Sequence, residues 1–537
     1  MLIGYVSDED YSAIADAAVE FDRGGETVYV TRSTARGAIF AELPTGDYRV
    51  TIQNPGFGSK RSWLTIHESR PQSPHQFRLL SDRLIGYVWP KWRRSGERGE
   101  FRVHSVEPYH LSLWRYGLEK ELVRQIGWFD AHGPRTMMQI TPDGDYSQTG
   151  VHWNRLGWGS PHHTQLVDAP ERSGLYYFHA RGESGAFFSF PWVVAPARPA
   201  NGVGVLASTN TWNAYNAFGG RSNYVNAREL PPEPTVNARQ DLQRYHGGAY
   251  DEWLYGDFEY QPLSFERPER GNHVPEHVRA TNPIAGRDAC HLAPAEWRLL
   301  AWMEREGFAY DLYSEWQLHD GTLDLSSYRV VVLSTHPEYW SREMYERVKD
   351  WVNRDGGKLV YLGGNGINCE VELLDGHRLR CLTRVPSAGE SMGGAELESR
   401  FHRTVENEAN LLGVVCTDAG IMTAAPYRVE RPDHWVFEGT GLRDGDTFGH
   451  ASLHERVPGG ASGHETDKRS RFSPPGTVLL AKGLNPDEGG AEMVTYETES
   501  GGAVFSVGSI TWPSSVLIDE HVSRITRNVL TRFLRQD

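Results

Sequence analysis

Between Val203 and Gly364 the sequence alternates short apolar runs with longer amphipathic segments. The runs "VGVLAST", "FAYDLYSE", "YRVVVLST" and "KLVYLGG" have the length and composition of buried strands. Between them, "PAEWRLLAWMEREG" ends at Gly307 and "REMYERVKDWVNRDGG" at Gly356 and Gly357, and both carry apolar residues at helical spacing. Because strands that alternate with helices build βαβ units, the pattern predicts an α/β fold with a mostly parallel sheet covered on both faces.

The first 200 residues follow a different pattern. From Leu2 to about Ile66, and again from about Asp82 to Pro199, apolar and polar residues alternate at the strand period between turn residues. We interpret these regions as two β-sandwiches, the first of which resembles the prealbumin-like accessory modules of hydrolases. The predicted domains are therefore 1–80, 81–200 and 201–537, the last being an α/β catalytic domain with β-rich insertions after about Ala395.

The composition excludes two classes of partner. The chain of 537 residues carries 55 Lys and Arg against 70 Asp and Glu, a net charge of -15, and contains no long basic run. Nucleic acid and anionic membranes are therefore not expected as partners. No stretch approaches the ~20 apolar residues of a membrane span, and "MLIGYVSDED" lacks a signal-peptide pattern, so we expect a cytoplasmic protein. The four cysteines form no CxxC pair, which argues against a disulfide framework or a thiolate zinc site.

Polar and aromatic residues crowd the end of the strand "YRVVVLST". His336 and Glu338 lie there, just before a predicted helix that begins near Ser341. In open parallel sheets, ligands bind beyond the carboxyl ends of the strands, because loops and helix N-termini converge at that edge. Glu338 could then be a metal ligand, a general base or an anion at the helix start, and the pattern leaves the three roles open.

A second polar stretch follows the strand "VGVLAST". It contains Tyr215 and Tyr224 on either side of a Gly-Gly pair, and a parallel sheet would bring it to the same crevice as Glu338. A tyrosine at such a place is either an oxygen ligand or an aromatic plug whose hydroxyl is satisfied locally.

A third stretch, "LVYLGGNGINCE", ends a strand in a tight Gly-rich turn. In Cys-dependent amidotransferase-like folds such a turn presents the nucleophile, but here Asn365 occupies that position and Cys369 lies four residues further on. A plain strand-to-helix turn explains much of the same pattern. The isolated His291 and His319 form no spaced pair, and we interpret them as surface or packing residues.

Several motifs, in this order, resemble those of one family. "NTWNAYN", "GGRSNY", "YRVVVLSTHPEYWS", "GGKLVYLGGNG", "WVFEG" and "VFSVGSITW" are similar to the large subunit of N,N-dimethylformamidase and its relatives, from about Val203 to the C-terminus. The resemblance implies a sheet of the class I glutamine amidotransferase-like type. It also implies a mononuclear Fe(III) site, held by two tyrosinates and one glutamate, that hydrolyses a small amide.

The resemblance assigns roles to particular residues of this sequence. The glutamate ligand corresponds to Glu338 and the first tyrosine ligand to Tyr215. Tyr224 fits the second tyrosine, with Tyr245, Tyr250 and Tyr255 as alternatives. Three further side chains are expected in the pocket, with His336 handling a proton beside the ligands: His336, Asn365 and Glu438.

The implied ligands suit the implied metal. Phenolate and carboxylate oxygens are hard anionic donors, which favour a small, highly charged ion such as Fe(III). We therefore expect an iron-dependent amidohydrolase that cleaves the C–N bond of a small neutral formamide or urea-like compound. We also expect a homo-oligomer, with a small accessory subunit as an open possibility. The alternatives are a noncatalytic or carbohydrate-binding protein and a thiol hydrolase that uses Cys369.

Overall fold

The computed structural model describes residues 1–67, 73–129, 138–153, 165–236, 260–284, 290–382 and 399–535. The structure is 36% strand and 16% helix, so sheets determine where most side chains lie. None of the helices in these ranges combines the length and the apolar composition needed to cross a membrane.

The first region folds into two sheets that share a core. Its strands are β1 (Leu2–Ser7), β2 (Ala18–Arg23), β3 (Glu26–Arg32), β4 (Ala38–Phe40), β5 (Gly46–Asn54), β6 (Gly58–Ile66) and β7 (His75–Arg78). One sheet has the order β4-β1-β7, and β6-β5-β2-β3 form most of the other. Alternating residues of both sheets, such as Val6, Phe21 and Ile52, are fully buried in one cluster.

The second region also consists of two sheets. Its elements are β8 (Ile85–Trp89), β9 (Trp92–Arg94), β10 (Arg98–His104), β11 (Tyr109–Tyr116), β12 (Lys120–Phe129), β13 (Met138–Gln139), α1 (Tyr146–Thr149), β14 (Leu166–Asp168), β15 (Gly174–Gly182) and β16 (Phe187–Ala195). The sheets have the orders β14-β10-β8 and β12-β11-β15-β16-β9, while β13 extends the first region's sheet by pairing with β6. Val103, Leu113 and Phe178 lie in the core that both sheets share.

The third region carries the longest helices and the largest sheet. Its elements up to residue 382 are β17 (Val203–Ala207), α2 (Thr209–Ala214), β18 (Leu263–Ser264), α3 (Ala293–Glu306), β19 (Asp311–Ser314), α4 (Glu315–His319), β20 (Val330–Thr335), β21 (Tyr339–Trp340), α5 (Arg342–Asn353), β22 (Lys358–Gly363), β23 (Cys369–Leu374) and β24 (Arg378–Cys381). Those after residue 398 are α6 (Arg400–Thr404), α7 (Ala409–Leu412), β25 (Val415–Thr417), β26 (Ala424–Ala425), β27 (Tyr427–Val429), β28 (Thr447–Phe448), β29 (Ser462–Gly463), β30 (Thr466–Lys468), β31 (Val478–Gly483), β32 (Glu492–Glu497), β33 (Ala503–Ser506) and α8 (Glu520–Leu534).

The predicted fold class, a mostly parallel α/β sheet of the class I glutamine amidotransferase-like type behind two β-sandwiches, is wrong. The nine-stranded sheet has the order β19-β17-β20-β22-β33-β32-β31-β27-β28. Its pairings are parallel from β19 to β33 and antiparallel from β33 to β28. The physical reason lies in the connections: only residues 498–502 separate β32 from β33, whereas a parallel crossover needs about a dozen residues or more.

The largest hydrophobic core contains residues from both sides of residue 200. Trp92 of β9 stacks on Trp316 of α4 with ring centroids 5.4 Å apart, and the indole of Trp297 in α3 donates a 2.7 Å hydrogen bond to the carbonyl of Gly117. The second and third regions are therefore joined by buried packing. The domain boundaries at residues 80 and 200 stay a prediction.

Candidate active site

Three neighbouring parallel strands end at one edge of the nine-stranded sheet. β17, β20 and β22 pair in register, with Leu206 opposite Leu333 and Thr335 opposite Gly363. Their carboxyl ends lead into α2, into the HPEYW segment (336–340) and into the GGNG turn (363–366). Loops that follow adjacent parallel strands converge at one edge, so the three polar stretches meet there.

The backbone bends sharply where β20 and β22 end. Thr335 and Asn365 have φ angles of +64° and +50°, in the left-handed region that β-branched residues rarely adopt. Two glycines allow the chain to pass closely: a Cβ on Gly363 would lie 2.7 Å from the Thr335 carbonyl oxygen, and one on Gly364 would lie 2.5 Å from the Glu465 carbonyl oxygen. Positive φ angles such as those of Thr335 and Asn365 cost about 1–3 kcal/mol each and concentrate at functional sites.

Glu338 does not cap the helix that follows it. The N-cap of α5 is Ser341, whose hydroxyl oxygen accepts a 3.3 Å hydrogen bond from the amide of Met344. Glu338 lies instead in a turn tied to α2 by Thr211, whose hydroxyl donates to the His336 carbonyl at 2.7 Å and accepts from the Glu338 amide at 3.2 Å. The helix-start role left open by the sequence is therefore not the one that this carboxylate plays.

The Tyr224 hydroxyl lies against both oxygens of the Glu338 carboxyl group. It is 2.8 Å from Oε1 and 2.9 Å from Oε2, and it also accepts a 2.6 Å hydrogen bond from the hydroxyl of Tyr339. Burial, and then the negative charge of Glu338, raise the pKa of Tyr224 well above its ordinary value. Burial also raises the pKa of Glu338, against the opposing effect of His336.

Aromatic rings and imidazoles surround these oxygens. The Tyr215 ring centroid is 4.3 Å from that of Tyr224, 4.7 Å from that of His291 and 5.6 Å from that of His336. His464 continues the row, with its ring centroid 5.2 Å from that of His291. The two predicted tyrosines, the predicted glutamate and the predicted histidine are thus adjacent to one another.

His336 lies between two carboxylates. Its Nε2 is 3.3 Å from Oε2 of Glu338 and 3.2 Å from Oε2 of Glu465, although neither contact has good hydrogen-bond geometry, and Nδ1 has no hydrogen-bond partner among the described residues. Burial alone would lower the pKa of His336, but the charges of Glu338 and Glu465 outweigh burial and raise it. Burial opposes ionisation of Glu465, yet His336 brings the pKa of that carboxyl group down to about 2.

Asn365 completes this side of the cluster. Its Nδ2 donates a 2.8 Å hydrogen bond to Oε2 of Glu465, and its backbone amide donates at 2.8 Å to Asp467. Its Oδ1 is buried and accepts no hydrogen bond from the described residues. Because Glu465 contacts His336 as well, the carboxylate links the ends of β20 and β22.

Two buried carboxyl groups hold α2 in place below the cluster. Oε1 of Glu296 accepts hydrogen bonds from the Ser208 amide at 3.2 Å and from the Trp212 indole at 2.8 Å. Glu315 accepts from the Asn210 amide at 2.8 Å. Burial raises the pKa of Glu296 to about 8 and that of Glu315 well above its ordinary value, so the protonated form of both carboxyl groups is favoured.

Not every residue expected in the pocket lies there. Glu438 is exposed at the end of a short 3₁₀ turn, and its carbonyl accepts a 2.8 Å hydrogen bond from Asn528 of α8. Tyr245, Tyr250 and Tyr255, the alternatives for the second tyrosine, lie outside the described residues.

Three neighbours of the cluster were missed by the sequence reasoning: Tyr339, His291 and Glu465. Tyr339 received no role from the sequence, and His291 was interpreted as a surface or packing residue. The only sequence signal for Glu465 was indirect, because the glycine pair at 363 and 364 indicated that another backbone passes close by.

Comparison with known proteins identifies a family for the part of the chain that contains the cluster. A family model described as "N,N-dimethylformamidase beta subunit-like, C-terminal" matches residues 121–523, which include all the residues of the cluster. The N,N-dimethylformamidase beta subunit of Paracoccus aminophilus is 27% identical over 80% of this chain, and that of an Alcaligenes species is 25% identical over 73%. The matches cover 65% and 59% of those relatives' own lengths, so the chain spans less than two thirds of each.

Among solved structures, the fibronectin(III)-like modules of Clostridium thermocellum CbhA match 37% of this chain and 94% of their own length. At 10% identity and a TM-score of 0.12, that match supports no conclusion. The family match spans three quarters of the sequence, from within the second region to the last helix. The chain belongs to the N,N-dimethylformamidase beta subunit-like family.

Proposed function

We propose that this chain is an iron-dependent amidohydrolase that cleaves the C–N bond of a small, neutral N-substituted amide, a formamide or a urea-like compound. The proposal is supported by the names of the relatives and by the arrangement at the strand ends. The single observation that carries it is the contact of the Tyr224 hydroxyl with both Glu338 oxygens, next to the Tyr215 ring and the His336 imidazole.

The donor set fits a ferric ion. Within the described ranges no group of three or more His, Cys, Asp and Glu side chains is arranged to hold a metal, so a site at these strand ends would draw on the phenol oxygens as well. Tyr215, Tyr224 and Glu338 would be the ligands. Burial and the nearby carboxylate keep the Tyr224 phenol protonated, as its raised pKa indicates, unless a strong cation replaces the proton. Three hard anionic oxygens match such a cation in charge.

The bound ion would supply Lewis acidity, which polarises an amide carbonyl and acidifies water. Hydrolysis also needs a proton for the departing amine nitrogen. The hydroxyl of the attacking water joins the acyl carbon of the substrate, which becomes the carboxylic acid product. His336 suits this task, because the charges of Glu338 and Glu465 raise its pKa and so favour the protonated ring. It can donate that proton to the amine and recover one from water.

Asn365 and Glu465 orient the reacting groups. Glu465 accepts a hydrogen bond from the Asn365 amide and lies 3.2 Å from Nε2 of His336, so it stands between the two side chains. Oδ1 of Asn365 is left to accept a hydrogen bond from water or from a substrate N–H. Both residues would act by position, since neither needs to change its bonding during the reaction.

The first test is the colour, iron content and activity of the purified protein. Tyrosinate bound to ferric iron gives a visible charge-transfer band, so we expect a coloured protein with about one iron per chain that releases amine from formamides. Tyr215→Phe should weaken or shift the band and lower kcat/KM by more than the roughly 10–100-fold typical of losing a group around a metal. A colourless, iron-free and fully active enzyme would refute the proposal.

The matched control is Tyr313→Phe. Tyr313 is also buried and shares a 2.8 Å hydroxyl contact with another tyrosine, Tyr328, but on β19, outside the candidate site. We expect this variant to keep both band and activity.

The structure disfavours the thiol alternative. Cys369 is buried, and burial raises the pKa of its thiol well above the ordinary value, so the reactive thiolate is suppressed. The carbohydrate-binding alternative would be favoured if the protein bound glycans and contained no stoichiometric iron.

We also propose that the chain works as part of an assembly. Its relatives are named beta subunits, which indicates that they act with a second kind of subunit. Mass measurement of the native protein, alone and co-expressed with a genetically linked small protein, tests both homo-oligomerisation and the need for an accessory subunit.

A further inference from the structure

The Tyr339 hydroxyl contacts a candidate ligand of the proposed metal site, Tyr224. Its oxygen lies 2.6 Å from the Tyr224 oxygen, a short distance for two phenols. A phenol has one hydrogen, and that of Tyr224 points to Glu338, whose oxygens lie 2.8 and 2.9 Å away. Tyr339 must therefore be the donor of this pair and Tyr224 the acceptor. If Tyr224 loses its proton, the direction is unchanged, because a phenolate can only accept.

The Tyr339 ring is held so that this donation persists. The side chain is fully buried, so no bulk water competes for the hydroxyl. Its backbone is fixed on both sides: Tyr339 pairs with Cys369 of β23, and its carbonyl accepts a 2.9 Å hydrogen bond from Nδ2 of Asn210 in α2. The Tyr339 backbone is thus fixed between β23 and α2, and two candidate ligands lie next to these contacts: Glu338 directly precedes β21 and Tyr215 directly follows α2.

We propose that Tyr339 is a positioning residue that holds the Tyr224 oxygen toward the metal and reduces the electron donation of that oxygen by a permanent hydrogen bond. This inference rests on the proposed function. A hydrogen bond to a charged acceptor is among the stronger ones in proteins, and it acts on a ligand atom without touching the substrate.

The test is Tyr339→Phe, which removes one oxygen and keeps the ring. We expect the variant to bind iron, but with about ten- to a hundredfold lower affinity in competition with a ferric chelator. Its visible band should move to longer wavelength, because an unbonded phenolate gives up an electron more easily. Turnover should fall mainly through kcat, since no substrate contact is lost.

The matched control is again Tyr313→Phe. There, too, one buried tyrosine contacts a second, Tyr328, whose hydroxyl donates to a carboxylate, Asp311, at 2.9 Å. Removing this hydroxyl costs a comparable buried hydrogen bond but should leave the band and the iron affinity unchanged. A shift in both variants would mean a general loss of packing and would overturn the inference.

A measurement on the wild type needs no variant. The carbon–oxygen vibration of a hydrogen-bonded phenolate, seen by resonance Raman excitation in the visible band, should move on transfer to D₂O. Insensitivity to D₂O, or a Tyr339→Phe band and iron affinity within twofold of wild type, would overturn the role of Tyr339. A wild-type protein without iron or band would instead overturn the proposed function.

Discussion

The buried carboxyl group of Glu296 makes the stability of the protein depend on pH. Burial raises its pKa from 4.5 to about 8, so at pH 7 the folded chain holds a proton that the unfolded chain has released. Its Oε1 accepts both hydrogen bonds, from the Ser208 amide and the Trp212 indole. Glu296→Gln can keep both bonds through the amide oxygen but cannot ionise.

The expected effect has a definite sign and size. Where the folded state binds one proton more than the unfolded state, the free energy of unfolding falls by about 1.4 kcal/mol per pH unit. For Glu296 this holds from pH 4.5, where the unfolded group ionises, to about 8, where the folded group does. Between about pH 5.5 and 7.5 the wild type should therefore lose about 2.5 kcal/mol relative to Glu296→Gln.

Urea unfolding at these two pH values, followed by tryptophan fluorescence, measures the difference. The quantity of interest is the free energy of unfolding of the variant minus that of the wild type, because every other titrating group cancels. Glu346→Gln, at an exposed position of α5, is the control and should follow the wild type. If the wild-type and Glu296→Gln free energies change in parallel within about 0.5 kcal/mol, then Glu296 ionises normally and the reasoning fails.

Two further predictions concern the chemistry. Glu465→Gln removes one of the carboxylates that raise the pKa of His336. The pKa assigned to His336 in the pH–rate profile should therefore fall while the iron content is kept, and an unchanged profile would exclude His336 as the titrating group. Iodoacetamide should leave hydrolysis unchanged, because all four cysteines are buried, and inactivation with labelling at Cys369 would restore the thiol mechanism.

The main features of the candidate site could be predicted because its residues follow strand ends. Tyr215, His336 and Asn365 are far apart in sequence, yet each lies in the segment that follows an apolar run, Tyr215 after the intervening helix α2. The geometry of parallel strands brings such positions to one edge. The prediction that these positions meet at one edge required only the parallel half of the sheet, so it did not depend on the incorrect fold class.

The incorrect part had a physical cause. An apolar run indicates that a strand is buried but does not indicate the direction of its neighbour. The connection lengths do, and the short links around β31, β32 and β33 favoured hairpins. Glu465 was missed for a related reason, since it enters the site just before β30, whose partner is the equally short β25.

Tyr339 could not be assigned from the alternation of a strand. Consecutive residues of a regular strand point to opposite faces, so Glu338 and Tyr339 should not meet the same atom. The left-handed Thr335 and the turn through Pro337 break that regularity, and both side chains reach the Tyr224 hydroxyl. A functional turn is where simple periodicity fails.

Because buried contacts cross residue 200, segments of this chain cannot be exchanged freely with those of a relative at that point. Exchanging the front of the chain between relatives at that point would replace Trp92 and the Gly117 carbonyl while keeping Trp316 and Trp297, the partners that they contact. In a chimera joined at residue 200, buried side chains from two different proteins would have to pack against each other. A chimera joined at a surface loop avoids this requirement. Residue 200 is therefore a poor crossover point for chimeras of this chain, although the order of its segments suggests a border there.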